Sequence, residues 1–68
     1  MSGKVFKKIE IVGTSDVSFS DATEVAVKKA AESLRNLSWF EVIEHRGAIH
    51  DGKIREYQVT IRVGFRLE

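Results

Sequence analysis

The chain has a single tryptophan, Trp39, which lies in the short stretch LSWFEV at residues 37–42. An indole can pack in a core, cover a subunit contact, or stack on a planar ligand. For a tryptophan in a strand, packing or an interface is the more frequent role. The residues alone leave these roles open, so the surface that covers Trp39 has to be found from the fold.

The other candidates for chemistry have weaker patterns. His45 and His50 lack metal-ligand spacing, and the chain has no cysteine. Gly13-Thr14-Ser15 could offer backbone amides to a phosphate, but it lacks the glycine pattern of a nucleotide-binding loop. No serine, histidine and carboxylate set suggests a nucleophilic triad. We therefore expect no metal site and no catalysis.

Composition excludes several classes of partner. The 11 basic and 10 acidic residues are interspersed and give a net charge of +1, which predicts no binding to nucleic acid or to a membrane surface. The longest apolar run is the three residues 25–27, which is too short for a transmembrane helix or a signal peptide. We expect a cytoplasmic protein.

The elements follow the order β-α-β-β. Residues 5–12 predict a strand that a turn at Gly13–Asp16 ends, and Ser18 caps a helix that ends near Asn36. Residues 39–46 and 54–67 predict two strands joined by a two-residue turn at Asp51-Gly52. Helical periodicity places one set of residues on the buried face of the helix, namely Phe19, Ala22, Thr23, Ala26, Val27, Ala30, Leu34 and Leu37.

A right-handed crossover through the helix, followed by a hairpin, puts the long third strand in the middle of the sheet. The predicted fold class is α+β: a β-α-β-β protomer with a three-stranded antiparallel sheet, order 1-3-2, packed on one helix. Residues 1–68 form one domain. The helix is expected to cover the face that carries Tyr57, Val59 and Ile61.

The turn also predicts the register of the hairpin. With Asp51-Gly52 as the loop, Val42 lies opposite Ile61 and Phe40 opposite Val63, whereas a one-residue slip would set both against polar partners. The same register puts Glu41 opposite Arg62 as an ion pair. It places Trp39 opposite Gly64, sharing with Glu41, Ile43 and His45 the face away from the helix.

Trp39 would therefore be exposed in a monomer. A chain of 68 residues buries a marginal core, and this one has no disulfide or zinc site to reinforce it. We predict an oligomer. Val25, on the charged side of the helix, is either an exposed valine or a subunit contact.

With this pattern in place, the chain resembles the dodecins, which are small flavin-binding proteins. The resemblance runs almost end to end and needs no gap. It is carried by IEIVGTS (9–15), SLRNLSWFEV (33–42), RG (46–47), DGK (51–53), EYQVT (56–60) and VGFRLE (63–68). Asp16-Val17 departs from the turn that is usual in the family, which affects only the local shape of that loop.

The resemblance implies a hollow homododecamer with flavins bound in pairs. It implies that Trp39 stacks on the isoalloxazine ring and that Gln58 hydrogen-bonds the polar edge of that ring. Arg46 resembles the arginine of bacterial-type members, which are associated with FMN and its phosphate, and riboflavin or FAD are alternatives. Arg66 is expected to assist with phosphate or with coenzyme A.

The sequence leaves three functions open. The favoured one is non-catalytic flavin storage or buffering. The second is binding of coenzyme A or another nucleotide, with flavin secondary, since Arg46 and Arg66 suit either ligand. The third is a structural shell in which Trp39 is only an interface residue.

Overall fold

The computed structural model describes residues 3–68, and its elements follow the predicted order. They are β1 (Phe6–Ser15), α1 (Phe19–Ser33), β2 (Leu37–His50) and β3 (Lys53–Arg66). The sheet has the order β1-β3-β2 with both neighbouring pairs antiparallel, which confirms the predicted fold class. The predicted domain of residues 1–68 also includes Met1 and Ser2, which lie outside the described residues. No helix within residues 3–68 is long and apolar enough to cross a membrane.

The start of α1 is fixed by a small polar cluster. The Ser18 hydroxyl accepts the Asp21 amide at 2.9 Å, which confirms the predicted cap. The Ser15 hydroxyl donates to the Asp21 carboxylate at 2.7 Å and accepts the Val17 amide at 2.9 Å. A carboxylate in the first turn also interacts favourably with the helix dipole. The cluster thus ties the end of β1 to the start of α1.

The prediction that the helix ends near Asn36 is wrong, because α1 ends at Ser33. Asn36 has a left-handed backbone with φ 62°, and this residue turns the chain into β2. Its carbonyl accepts the Arg66 amide at 3.2 Å and its side-chain amide donates to the Arg66 carbonyl at 3.3 Å. These bonds dock the connection onto the end of β3, which competes with further helix.

The predicted turn at Gly13–Asp16 is also wrong in part, because β1 continues to Ser15. Gly13 pairs with Val59 of β3 and lies directly beneath α1. A side chain at Gly13 would collide with the carbonyl of Ala22 and the β-carbon of Ala26. The glycine therefore permits close packing of helix on sheet rather than a change of direction.

The core lies between α1 and the sheet. Its buried members are two alanines of α1 and three branched residues of β3. Full burial of each branched side chain stabilises the fold by about 1.5–3 kcal/mol. Phe19, predicted on the buried face, is instead 38% exposed, and its ring centroid lies 4.8 Å from that of His45 and 5.0 Å from that of Tyr57. The buried cluster consists of Ala22, Ala26, Val59, Ile61 and Val63.

Large apolar side chains remain exposed outside this core. The hairpin extends beyond the end of β1, and its facing residues Ile49 and Ile54 are 76% and 63% exposed. Val25 of α1 is also exposed, so both interpretations of it stand. This exposure favours the predicted association with further copies of the chain.

Substitution of Gly13 tests the close approach of α1 to β1. Gly13→Val is expected to lower stability by about 1–3 kcal/mol, because the added groups meet helix backbone that cannot move freely. This should happen although valine favours strands. The measurement is denaturant unfolding at equal protomer concentration.

Gly3→Val is the matched control, since nothing lies within 4 Å of a β-carbon placed at Gly3. Equal unfolding midpoints for the two variants would contradict the packing role of Gly13.

Candidate functional site

The sheet face opposite α1, called here the open face, carries most of the polar chemistry. Cross-strand partners share a face, so the pairings with β3 identify its members. They are Phe6, Lys8, Glu10, Val12 and Thr14 of β1, Trp39, Glu41, Glu44, Arg46 and Ala48 of β2, and Glu56, Gln58, Thr60, Arg62, Gly64 and Arg66 of β3.

Trp39 lies at one end of the open face, opposite Gly64 as predicted. Its six-membered ring occupies the space that a side chain at Gly64 would fill. The Phe6 ring lies 5.2 Å from the indole at an interplanar angle of 57°. The tryptophan remains 41% exposed. Gly64 and Phe6 thus hold an indole that is still accessible.

Bulges in the hairpin change the middle of the predicted register. Pairing is as predicted from Trp39 to Val42 and again at Ile49 and His50, but it shifts by one residue from Glu44 to Ala48. Surplus residues Ile43 in β2 and Arg55 in β3 produce two shifts that cancel. The prediction that His45 shares the face of Trp39 is therefore wrong: His45 lies opposite buried Val59, on the helix side of the sheet, and its ring contacts that of Phe19.

The shifted segment places Arg46 directly opposite Gln58. The Arg46 Nε donates to Gln58 Oε1 at 2.6 Å, and Gln58 Nε2 donates to Glu56 Oε1 at 2.9 Å. Glu44 lies 3.9 Å from the Arg46 guanidinium. Two of the expected site residues thus form one hydrogen-bonded group, together with Glu56, which the sequence analysis did not single out.

The four expected site residues fall into two groups at opposite ends of the open face. Gly64, beneath Trp39, lies six residues beyond Gln58 along β3, which is about 20 Å at 3.3 Å per residue. Arg66 lies beyond Gly64, at the Trp39 end, and pairs with Phe6. The Trp39 and Arg66 group is therefore separated from the Arg46 and Gln58 group.

Ion pairs fill the middle of the open face. The predicted Glu41–Arg62 ion pair is wrong, although the two residues do lie opposite each other. Glu41 instead accepts from Lys8 at 2.7 Å, and Arg62 donates to Glu10 at 3.1 Å. Because β3 is central, Arg62 has an acidic neighbour on each side, and it pairs with the one on β1.

The Lys8 ammonium changes the ionisation of Glu41. Its hydrogen bond lowers the pKa of the Glu41 carboxyl and outweighs desolvation, which acts in the opposite direction, and the positive charges of Lys8 and Arg62 lower this pKa further. The carboxylate therefore stays charged to lower pH than an isolated glutamate. The centre of the open face is thus charge-balanced.

The two ends of the open face provide different binding chemistry. Trp39 and Phe6 offer aromatic surface to a planar ring, while Gln58 offers amide donors and an acceptor and Arg46 offers a cation for an anionic group. Within residues 3–68 no group of three or more histidine, aspartate or glutamate side chains is placed to hold a metal ion.

Comparison with known proteins gives a consistent result. The sequence model of the family described as Dodecin matches residues 5–68. A dodecin of Thermus thermophilus is 52% identical over 66 residues, covering 97% of this chain and 96% of the relative. The calcium dodecin of Mycobacterium tuberculosis is 32% identical over 63 residues, covering 93% and 89%. The solved dodecin structure from Streptomyces coelicolor superposes with a TM-score of 0.95 at 44% identity, covering 100% of this chain and 97% of that one.

The packing of the Trp39 indole on Gly64 can be tested with Gly64→Ala. The added methyl group should displace the Trp39 ring and lower stability by about 1–3 kcal/mol. Because Trp39 is the only tryptophan, its fluorescence reports the displacement directly. We expect a changed emission maximum and a changed quenching by acrylamide.

Gly3→Ala serves as the control because a β-carbon there has open space around it. If Gly64→Ala kept the wild-type emission and quenching, the indole would not be seated on Gly64.

Proposed function

Because this chain belongs to the dodecin family, we propose that it binds flavin, with FMN as the preferred form, as a non-catalytic storage or buffering protein in the cytoplasm. The family consists of small proteins that assemble as dodecamers. The proposed assembly is accordingly a hollow homododecamer.

The observation that carries this proposal is the seating of Trp39. An indole held over Gly64 and braced by Phe6, yet 41% exposed, is pre-ordered for stacking on a flat ring system. Little side-chain freedom remains to be lost when a ligand stacks on it. An isoalloxazine ring matches this surface in shape and polarity.

The second group supplies the polar complement of a flavin. The flavin ring ends in an imide edge, an N–H between two carbonyl groups, to which an amide can both donate and accept. Gln58 offers such an amide, and we propose that Arg46, which is hydrogen-bonded to it, binds the phosphate of FMN. Riboflavin lacks that phosphate, which is why we propose FMN as the preferred form.

One flavin cannot reach both groups within a protomer. The separation of about 20 Å between the Trp39 and Gln58 positions exceeds the length of an isoalloxazine ring. We therefore place Trp39 of one copy and Gln58 of another in each site. A ligand bound only by the assembled form stabilises that form, so flavin and oligomer stability are linked.

The proposed role is to sequester flavin. Stacking places the indole, an electron donor, against the ring, where it would drain the excited state and protect the flavin from light. None of the residues in either group forms the set that nucleophilic or metal-assisted chemistry requires.

Coenzyme A, or another nucleotide, is the second candidate. Lys4 and Arg66 line the same surface depression beside Phe6. Two cations next to an aromatic ring suit a ligand that carries phosphates as well as a base. On this alternative, flavin is the weaker ligand.

Titration with FMN, riboflavin and coenzyme A tests the proposal. FMN fluorescence should be quenched on binding. Trp39→Ala should severely weaken the binding of both FMN and riboflavin because the stacking surface is lost. Arg46→Ala should weaken the binding of FMN about tenfold more than that of riboflavin, because a charge-assisted hydrogen bond to the phosphate is lost.

Unchanged flavin fluorescence at every protein concentration would contradict the flavin proposal and favour a structural shell. Tighter binding of coenzyme A than of either flavin would favour the second candidate.

Subunit mixing tests the shared site. Chains with Trp39→Ala and chains with Gln58→Ala, each a poor binder alone, are unfolded together and reassembled. Tight flavin binding should return in a minority of sites, where each variant contributes its intact residue.

The measurement is flavin fluorescence, with mixed assemblies verified by native mass. Mixed assemblies without any recovered binding would place both residues of a site in one chain.

A further inference from the structure

The Gln58 amide is held at both of its ends. Its oxygen accepts from Arg46 across the sheet, and its nitrogen donates to Glu56, two residues away on the same strand. Gln58 and Glu56 are both partly buried, in a part of the sheet where β1 ends opposite Tyr57. These contacts decide which way the amide faces.

The alternative orientation of the amide is doubly unfavourable. A half-turn of the amide would set its NH₂ group against the Arg46 donor and its oxygen against the Glu56 carboxylate. Each contact would replace a hydrogen bond with a repulsion between like groups. Because Arg46 and Glu56 act on opposite ends, they specify the same orientation.

The amide retains binding capacity in this orientation. A glutamine amide has two N–H donors and two acceptor lone pairs on its oxygen. Glu56 takes one donor and Arg46 takes one lone pair. One donor and one acceptor remain, which is the complement required by an imide edge.

We propose that Glu56 is a positioning residue that fixes the orientation of the Gln58 amide for recognition of the imide edge of the ligand. This inference rests on the proposed flavin-binding function. Glu56 does not contact the ligand, and its contribution is made entirely through Gln58. A freely rotating amide would have to be ordered at binding, at a cost in affinity.

A double-mutant cycle on riboflavin tests this role. Riboflavin carries no phosphate, so loss of a carboxylate has no direct charge effect on it. Glu56→Ala should lower the affinity for riboflavin by about three- to tenfold. In the Gln58→Ala background the same change should have no effect. Glu56→Gln, which keeps an acceptor oxygen, should recover most of the affinity.

Glu44→Ala is the matched control. It removes a carboxylate from the same face, at a residue 3.9 Å from Arg46, that has no hydrogen bond to Gln58. We expect it to change riboflavin affinity by less than about twofold, as for an exposed ion pair.

A second measurement uses 3-methylriboflavin, which lacks the imide N–H. Glu56→Ala and the wild type should bind this analogue equally, and the comparison remains available where Gln58→Ala binds too weakly to titrate. If Glu56→Ala does not assemble, Glu56→Thr takes its place, because threonine favours strands.

The outcomes separate the two proposals. A wild-type protein that does not bind riboflavin or FMN contradicts the flavin function itself. Flavin binding that Glu56→Ala leaves unchanged overturns the positioning role alone. An equal loss in the Gln58 and Gln58→Ala backgrounds also overturns that role, because Glu56 would then act independently of the amide.

Discussion

The pairing of β3 on both of its edges is the constraint on which the rest of the protein depends. A central strand fixes its neighbours' side chains as well as its own, because cross-strand partners share a face. Side chains along β3 alternate between the two faces of the sheet, so Val59, Ile61 and Val63 lie in the core and the intervening polar residues lie on the opposite face. The core and the candidate site are thus two sides of one strand.

Two glycines allow large groups to approach this sheet from opposite sides. Gly13 admits the backbone of α1 on the core side, and Gly64 admits the Trp39 ring on the open face. A side chain at either position would push the approaching group away from the strands. The absence of a side chain therefore permits helix packing at Gly13 and the packing of the Trp39 indole at Gly64.

The sequence predicts those features that local chemistry determines. The Asp51-Gly52 turn sets the hairpin register, which places Trp39 opposite Gly64, and Ser18 marks the start of the helix. The register of β1 is not predictable in this way, because its connection to β3 runs through both α1 and β2. The contacts of Trp39 with Phe6 and of Glu41 with Lys8 depend on that register. For the same reason the sequence offers no signal for them.

The two bulges at Ile43 and Arg55 each add one residue to the hairpin that the pairing of the strands does not require. Ile43 and Arg55 have no partner across the ladder, so each is a place where one residue could be lost without altering which side chains face each other elsewhere. Loss of a residue between Glu44 and Ala48 would instead move Arg46 away from Gln58. A deletion at Ile43 or Arg55 is thus tolerable, whereas the segment from Glu44 to Ala48 has to keep its number of residues.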